Sequence, residues 1–213
     1  MSLIRRLKLV CVKGINDATY EVTKNKRVNG KTKTYWRCKF YDTWRSMITR
    51  CYHPKAITTA YNDCSVCEEW LTFSNFKSWM EQQDWKGKAL DKDLLVLGNT
   101  IYSPETCCFV SQHVNSFLTK SNSTRGEFPL GVHFKCKIKR YIGQIHVCGQ
   151  EKQQHLGCFL TPMLAHKAWQ KEKIKQAKIL QSEQTDPKVI KGLQRVIDKI
   201  QNDYDNNLET KDF

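Results

Sequence analysis

The stretch LDKDLLVLGNTIYSPETCCFVSQHVNSFL, residues 90–118, decides the fold that we predict for the middle of the chain. It opens with an extended apolar segment from Leu90 to Val96, after which Gly98-Asn99 marks a turn. After a polar loop, the run from Cys107 to Val110 predicts a second short strand. A short helix follows, because three apolar residues share one helical face: Val114, Phe117 and Leu118. The stretch therefore predicts a strand–loop–strand–helix unit.

Upstream of this unit, the hydrophobic period predicts two helices. Residues 41–52 and 73–80 carry apolar side chains at three- and four-residue spacing, which is typical of a helix with one buried face. Residues 6–40 are predicted to form short strands, and Asn29-Gly30 between two strand-like runs predicts a hairpin. The expected helical core consists of Tyr41, Trp44, Met47, Ile48, Cys51, Phe73, Phe76, Trp79 and Met80.

Downstream, the polar residues 120–128 predict a linker, and residues 129–160 predict three short strands joined by basic turns. Thr161-Pro162 predicts the start of a helix, because Thr caps helices and Pro suits their first position. Asp186-Pro187 begins a last amphipathic helix in the same way, which either packs back on the body or forms a dimer seam. The buried stripe expected in the first of these helices is Leu164, Ala165, Ala168 and Trp169.

These elements predict an α+β fold. A central ββα unit with a helical surround precedes a C-terminal module of a three-stranded antiparallel sheet and a helix. We predict three domains: residues 1–120, residues 121–182, and a terminal helix over 183–213. The linker leads us to expect that the first domain folds without residues 121–213. The sequence leaves the oligomeric state open, with a monomer as one expectation.

The charge of the chain predicts an anionic partner. The net charge is +14, and it is concentrated in residues 1–50, with 13 Lys or Arg against 3 acids, and in residues 125–180, with 11 against 3. Self-repulsion of this size gives a compact domain no stability, so an anionic partner is expected, and nucleic acid, an anionic membrane surface and the ribosome all qualify. The partner that we select among these is double-stranded DNA, on the family resemblances given below. No apolar run reaches the roughly 18 residues of a membrane span, and we expect no membrane partner.

The ten cysteines are irregularly spaced, and the basic N-terminus does not resemble a signal peptide. We therefore expect thiols in a cytoplasmic protein rather than a disulfide framework. A zinc site would need four ligands, and it would take Cys64 and Cys67 with Cys107 and Cys108, although Cys51 or His53 is also available. The alternative is that these thiols are small core residues.

A family resemblance covers roughly residues 10–120. The runs YDTWRSMITRCY (41–52) and CSVCEEWLTFSNFKSWM (64–80), with the stretch 90–118, resemble tailed-phage proteins described as HNH homing endonucleases. The resemblance implies a phage-encoded nuclease in a bacterial cytoplasm. It also implies a ββα unit that holds one Mg²⁺ or Mn²⁺ and cleaves phosphodiesters.

The resemblance implies a site at the end of the first strand. Asp91, Asp93 and Asn115 would bind the metal, since carboxylate and amide oxygens suit Mg²⁺ and Mn²⁺. HNH motifs place a histidine beside the aspartate, whereas here Ala89, Leu90 and Lys92 surround Asp91. Either His113 or Lys92 substitutes as the base that activates water beside Asp91, or the nuclease is inactive.

A second resemblance covers residues 129–180. The run GVHFKCKIKRYIGQIHVCGQEKQQHLGCFLTPMLAHKAWQKEK resembles the APETALA/ethylene-response type of DNA-binding domain. In that family a three-stranded sheet lies in the major groove and its strands contact bases and phosphates. The matching residues here are Lys135, Lys137, Lys139, Arg140, Tyr141, Gln144 and Lys152.

Three functional hypotheses follow from these patterns. The first is a metal-dependent DNA endonuclease, favoured by the presence of Asp91, Asp93 and Asn115. The second is a catalytically decayed DNA-binding protein that acts as a regulator or counter-defence factor, favoured by the missing histidine. The third is an RNA- or ribosome-binding protein, which competition with DNA at fixed salt would distinguish.

Overall fold

The computed structural model describes residues 8–54, 63–119, 126–147, 150 and 152–213. Within them the chain is α+β, with five α-helices and several small sheets, as predicted at that level. It divides into two compact units. The N-terminal unit comprises Met1–Lys86 and Thr100–Cys107, and the C-terminal unit comprises Gly87–Asn99 and Cys108–Phe213. The predicted linker falls partly on residues 120–125, which lie outside the described residues.

Two helices form the core of the N-terminal unit. α1 spans Lys39–Tyr52 and α2 spans Phe73–Glu81, so both predicted helices are confirmed. The predicted stripe is buried except for Trp79, which is partly exposed. The Trp44 indole Nε1 donates a buried hydrogen bond of 2.8 Å to the backbone oxygen of Trp70, which satisfies its polar group in this aromatic core.

Short two-stranded sheets complete the N-terminal unit. β1 (Lys8–Val10) pairs with β2 (Gly14–Asn16), and β3 (Thr23–Val28) pairs with β4 (Lys31–Arg37). The predicted hairpin turn is confirmed: Asn29 and Gly30 have φ of 51° and 74°, as two-residue turns of this kind require. β5 (Ser65–Val66) runs parallel to β7 (Ile101–Tyr102).

The C-terminal unit begins with the predicted strand–strand–helix order. β6 (Ala89–Asp91) pairs antiparallel with β8 (Cys108–Val110), and α3 (Gln112–Leu118) follows and packs against both strands. The first strand is shorter than the predicted Leu90–Val96. It ends at Asp91, where the carboxylate accepts backbone N–H groups from the next turn.

A three-stranded antiparallel sheet and two long helices make up the rest of this unit. The sheet has the order β11 (Gln153–Phe159), β10 (Arg140–His146), β9 (Val132–Lys135). α4 spans Pro162–Ser182 and α5 spans Pro187–Asp205. Both predicted N-caps are confirmed, because the side chains of Thr161 and Asp186 accept backbone N–H groups from the first turns.

The buried arc of α4 differs in part from the prediction. Ala165 and Trp169 are buried, but Leu164 is 50% exposed. The arc extends instead through His166 and Gln170, because the backbone of Leu130 and the C-terminal segment 208–210 hydrogen-bond to these side chains. The stripe of α5 lies in the same core through Leu193, Ile197 and Ile200, so the packing alternative predicted for this helix is confirmed within the unit.

The core of the C-terminal unit explains why the units divide as they do. Leu94, Val110, Val114 and Phe117 belong to one apolar cluster with residues of α4 and α5. The segment assigned by sequence to a domain over 1–120 is therefore split, and its strand–strand–helix part packs with the C-terminal elements. In the described part of the chain, no helix has the length and hydropathy needed to cross a bilayer.

Candidate nucleic-acid interface

The three-stranded sheet has one face covered by α4 and one face that is not. Side chains alternate along β10, so Tyr141, Gly143 and Ile145 lie on one side. A Cβ built on Gly143 would lie 3.1 Å from the backbone oxygen of Ala165 in α4, and Ile145 belongs to the helical core. That side is therefore the α4 face, and the residues between them lie on the opposite side.

We call this opposite side the open face. Arg140 lies directly across from Lys135, Gln144 across from His155, and Ile142 between His133 and Cys158. Cross-strand partners share a face, so the assignment extends to all three strands. The open face consists of His133, Lys135, Arg140, Ile142, Gln144, His146, Gln153, His155 and Cys158, and all of these except the buried Ile142 are exposed or partly exposed.

Basic residues concentrate at one end of this sheet. Lys135 and Arg140 are exposed, and the turn that joins their strands carries the exposed Lys137 and Lys139. Lys139 has φ of 49°, a left-handed conformation that ends the short 3₁₀ turn Cys136–Ile138. We call Lys135, Lys137, Lys139 and Arg140 the basic tip. Lys152 is exposed just before β11, at the other end of the β10–β11 hairpin.

Six of the seven predicted DNA-contacting residues thus lie on the open face or in exposed turns around the sheet. Tyr141 does not, because it follows Arg140 in the strand and lies on the α4 face, with its ring 4.9 Å from that of Phe134. Because successive residues of a strand lie on opposite faces, the sequence alone could have placed Arg140 and Tyr141 on different faces of the sheet.

The same alternation points to open-face residues that the sequence prediction missed: His133, His146, Gln153 and His155. A register shift between Gly143 and Gln144, opposite Leu156, displaces the pairing by one residue on β11. This β-bulge has no signal in the sequence, and it determines that His155 rather than Leu156 lies beside Gln144.

A cavity of about 570 Å³ lies at the edge of β10 that β9 leaves uncovered. Its lining includes Gln144 and His146 from the sheet, and Trp169 and Lys173 from α4. Lys173 is buried, and its ammonium group lies 3.8 Å from the centre of the Phe117 ring while donating to the backbone oxygen of Phe117. This lining combines aromatic surface with hydrogen-bonding groups next to the open face.

The predicted metal ligand Asp91 takes part in a turn. Its Oδ1 accepts the backbone N–H of Asp93 at 3.0 Å and that of Leu94 at 2.7 Å. Burial raises the pKa of the Asp91 carboxyl above its usual range, and the neighbouring Asp93 charge adds to this, while the two N–H bonds and Lys92 oppose it. One carboxylate oxygen is therefore committed to holding the chain reversal after β6.

Two positively charged side chains, those of Lys92 and Arg195, contact this turn. Lys92 is buried, and its ammonium donates to Asp93 Oδ1 at 2.6 Å and to the backbone oxygen of Asn99 at 2.8 Å. The Arg195 guanidinium donates to the backbone oxygens of Asp93 and Leu94. Burial lowers the pKa of Arg195, and the charges of Asp91 and Asp93 oppose that effect. Sequence inspection gave no indication that Arg195, 101 residues from Leu94, belongs here.

His113, predicted as a base, and Asn115, predicted as a metal ligand, both lie on α3. His113 is exposed and Asn115 is partly exposed, in the first turn of a helix capped by the Ser111 hydroxyl. They belong to the same compact unit as Asp91. Lys92, the alternative base, is held as a hydrogen-bond donor, whereas a general base must accept a proton.

The four cysteines predicted as zinc ligands are divided between the units. Cys64, Cys67 and Cys107 belong to the N-terminal unit and Cys108 to the C-terminal unit. Cys64, Cys107 and Cys108 are buried, and burial raises the pKa of the Cys67 thiol. The described cysteines, from Cys11 to Cys158, carry no disulfide.

Among the residues that the structure describes, no three His, Cys, Asp or Glu side chains gather in an arrangement suited to a metal ion. Asp91, Asp93 and Asn115 include only two such side chains, so an amide or water oxygen would have to complete a Mg²⁺ or Mn²⁺ site there. No known protein family, curated protein or solved structure matches this chain significantly.

Proposed function

We propose that this protein binds double-stranded DNA through the open face and basic tip of its three-stranded sheet. The observation that carries the proposal is the cross-strand pair Lys135–Arg140 on a sheet face that α4 does not cover. Like charges directly opposite each other destabilise a sheet, so this pair favours an anionic partner. Lys and Arg at one end would contact phosphates and fix the orientation of the sheet.

The rest of the open face, away from the basic tip, supports contacts to bases. Gln144 and Gln153 each carry an amide donor and acceptor, and His133, His146 and His155 add ring nitrogens. Base edges in the major groove present donors and acceptors that such side chains can match. The basic residues therefore supply affinity, and the amides and imidazoles supply the preference between sequences.

We favour a non-enzymatic role, as a regulator or counter-defence factor, for the strand–strand–helix part. Asp91 Oδ1 already accepts two backbone N–H groups, and the positive charges of Lys92 and Arg195 lie beside Asp91 and Asp93. These charges reduce the attraction of the carboxylates for a divalent cation. The arrangement suits a structural turn better than an open metal site.

A metal-dependent DNA endonuclease is the second candidate. The observation that favours it is the β6–β8–α3 order, with Asp91 at the end of the first strand and His113 and Asn115 on the helix. If Mg²⁺ or Mn²⁺ bound, Asp91, Asp93 and Asn115 would hold it and His113 would accept the proton of water. The metal would stabilise the developing charge on the phosphodiester.

A binding experiment tests the first proposal. The double variant Lys135→Gln/Arg140→Gln should bind a labelled duplex about tenfold more weakly than the wild type near 100 mM salt, because two phosphate contacts are lost. The matched control is Lys171→Gln/Lys178→Gln, which removes the same charge from exposed positions of α4. Equal affinity losses in the two variants would overturn the assignment of the open face.

A plasmid assay decides between the two candidates. Supercoiled plasmid is incubated with the protein and Mg²⁺ or Mn²⁺, with and without a chelator. We expect a mobility shift without nicking. Chelator-sensitive nicking that is abolished in Asp91→Ala and strongly slowed in His113→Ala would establish the nuclease instead.

A further inference from the structure

A second strongly basic surface lies in the N-terminal unit, on the hairpin of β3 and β4. Between residues 23 and 37 there are six Lys or Arg and no acid. Both strands are exposed along their length, and only the ends are partly covered. Tyr35 is 60% exposed and Trp36 is 44% exposed, which is unusual for large rings in a sheet.

The register divides these side chains between two faces. Lys24 pairs with Trp36, Lys26 with Lys33, and Val28 with Lys31, so four lysines share one side of the hairpin with Trp36. We call this the lysine face. The ammonium of Lys24 lies 5.5 Å from the centre of the Trp36 ring, which agrees with this assignment. Tyr35 is the additional residue at a register shift and belongs to neither set of pairs.

The other side carries shorter hydrogen-bonding side chains. Asn25 pairs with Thr34 and Arg27 with Thr32. The Thr34 hydroxyl donates to Asn25 Oδ1 at 2.7 Å, which confirms that these two share a face. We call this the polar face. Arg37, at its base, is held in an ion pair with Asp42 and is not counted as a contact residue.

The lysine face is electrostatically costly when the protein is alone. Lys26 and Lys33 lie directly opposite each other, and like charges in that position destabilise a strand pair. A two-stranded hairpin on its own is only marginally stable in water. An anionic partner that neutralises these lysines would remove their mutual repulsion, and the free energy of that relief would favour binding.

We propose that the β3–β4 hairpin is a second DNA-binding element that enters the major groove of a duplex as a two-stranded ribbon. The backbones of paired strands lie about 4.8 Å apart. The ribbon is therefore narrow enough for a groove about 12 Å wide, which admits a two-stranded β-ribbon. The polar face lies toward base edges, and the long lysines of the other face reach the phosphates on both walls.

Duplex DNA accounts for the two faces better than a single strand does. A single strand would use one face, with bases stacked on Trp36 and phosphates on the lysines of the same face. The polar face would then have no role, although Arg27, Asn25 and Thr32 are the residue types that contact guanine, adenine and the thymine methyl group in the major groove. A groove has two phosphate walls, which suits a lysine face whose lysines come from both strands of the ribbon.

This inference shares a duplex partner with the proposed function but uses other residues, so variants separate the two. Lys26→Gln/Lys33→Gln in the full chain should weaken duplex binding about tenfold near 100 mM salt and lower the salt-dependence slope by about two. Thermal stability should stay equal or rise, because the like-charge pair is removed. Lys171→Gln/Lys178→Gln again serves as the charge-matched control.

Arg27→Ala tests the polar face. Selection of bound sequences from a random duplex pool should show a preference at one or two base pairs that disappears in this variant, while binding to non-selected duplex changes less than threefold. If Lys135→Gln/Arg140→Gln weakens duplex binding as expected and the hairpin variants do not, the ribbon proposal is overturned and the proposed function stands. The converse result would overturn the proposed function and support the ribbon. A larger affinity loss for single-stranded than for duplex DNA in the hairpin variants would also overturn the ribbon.

Discussion

Asp91 and Leu94 are joined by a hydrogen bond of 2.7 Å from the backbone N–H of Leu94 to Oδ1 of the Asp91 carboxylate. The same oxygen accepts the N–H of Asp93, so Asp91→Ala leaves two N–H groups in a partly buried turn without their acceptor. We expect a loss of about 2 kcal/mol in the free energy of unfolding. Chemical denaturation measures it, and an unchanged midpoint would show that the turn does not need this carboxylate.

The pH dependence of Asp91→Asn separates the hydrogen bonds from the charge. Asn retains an oxygen that can accept both N–H groups. Burial raises the pKa of Asp91, so the folded state holds the carboxyl proton more tightly than the unfolded state does. The charged carboxylate therefore costs stability above its folded pKa, and the cost disappears below the unfolded value.

We expect Asp91→Asn to equal or exceed the wild type in stability near pH 7. Its advantage should shrink as the pH falls into the ordinary range of carboxyl titration. Denaturation midpoints of both proteins, measured from about pH 4 to about pH 7, test this expected change, because carboxyl groups ordinarily titrate near the lower end of that range. A wild-type advantage that grows toward neutral pH would contradict the direction of the pKa shift.

Gly131 should be indispensable to the sheet-and-helix module. Its φ is 76°, and a Cβ built on it would lie 2.1 Å from Cδ1 of Trp169 and 2.8 Å from the backbone oxygen of Gln144. Gly131→Ala must therefore shift both the ring and β10, and we expect a destabilisation above about 3 kcal/mol. Gly126→Ala is the matched control, because a Cβ there meets nothing within 4 Å. Similar melting temperatures for the two variants would refute the close packing at Gly131.

A chain that ends at residue 120 should not retain its strand–strand–helix part in a folded state. The linker pattern predicted an independent domain over 1–120, but Leu94, Val110 and Phe117 pack in the core formed with α4 and α5. Truncation exposes these side chains, and burial of each is worth about 2 kcal/mol. Amide hydrogen exchange should show rapid exchange over 108–118 in the truncated chain and protection in the full chain. Equal protection would restore the domain boundary predicted from the sequence.

Local sequence patterns predicted most of the helices and strands, but they did not predict contacts between residues that lie far apart in the sequence. The stripe from Tyr41 to Cys51 and the caps at Thr161 and Asp186 depend on neighbours within a few residues, and the structure confirms them. Tyr141 was placed in the DNA-contacting set by family resemblance, although its strand position next to Arg140 puts it on the α4 face.

The surroundings of Asp91 could not be predicted for a different reason. A charged strand end is equally consistent with a metal ligand and with a turn, and the difference depends on which groups pack around it. Lys92 gave no sign that it would be buried, and Arg195 lies far away in sequence. Apolar periodicity places α5 against a core but says nothing about the backbone oxygens that one of its polar side chains reaches.

Arg195→Lys tests the role of that residue in holding the 91–94 turn. The guanidinium donates through Nε and Nη2 to the backbone oxygens of Asp93 and Leu94 at 3.0 to 3.2 Å, a forked geometry that a lysine ammonium cannot reproduce. We expect a loss of about 1–2 kcal/mol in the free energy of unfolding, with duplex affinity unchanged because the net charge is retained. Arg45→Lys, an equivalent change at an exposed position of α1, should leave stability unaltered. If Arg195→Lys unfolds at the wild-type midpoint while duplex binding falls, Arg195 acts in DNA contact and not in support of the turn.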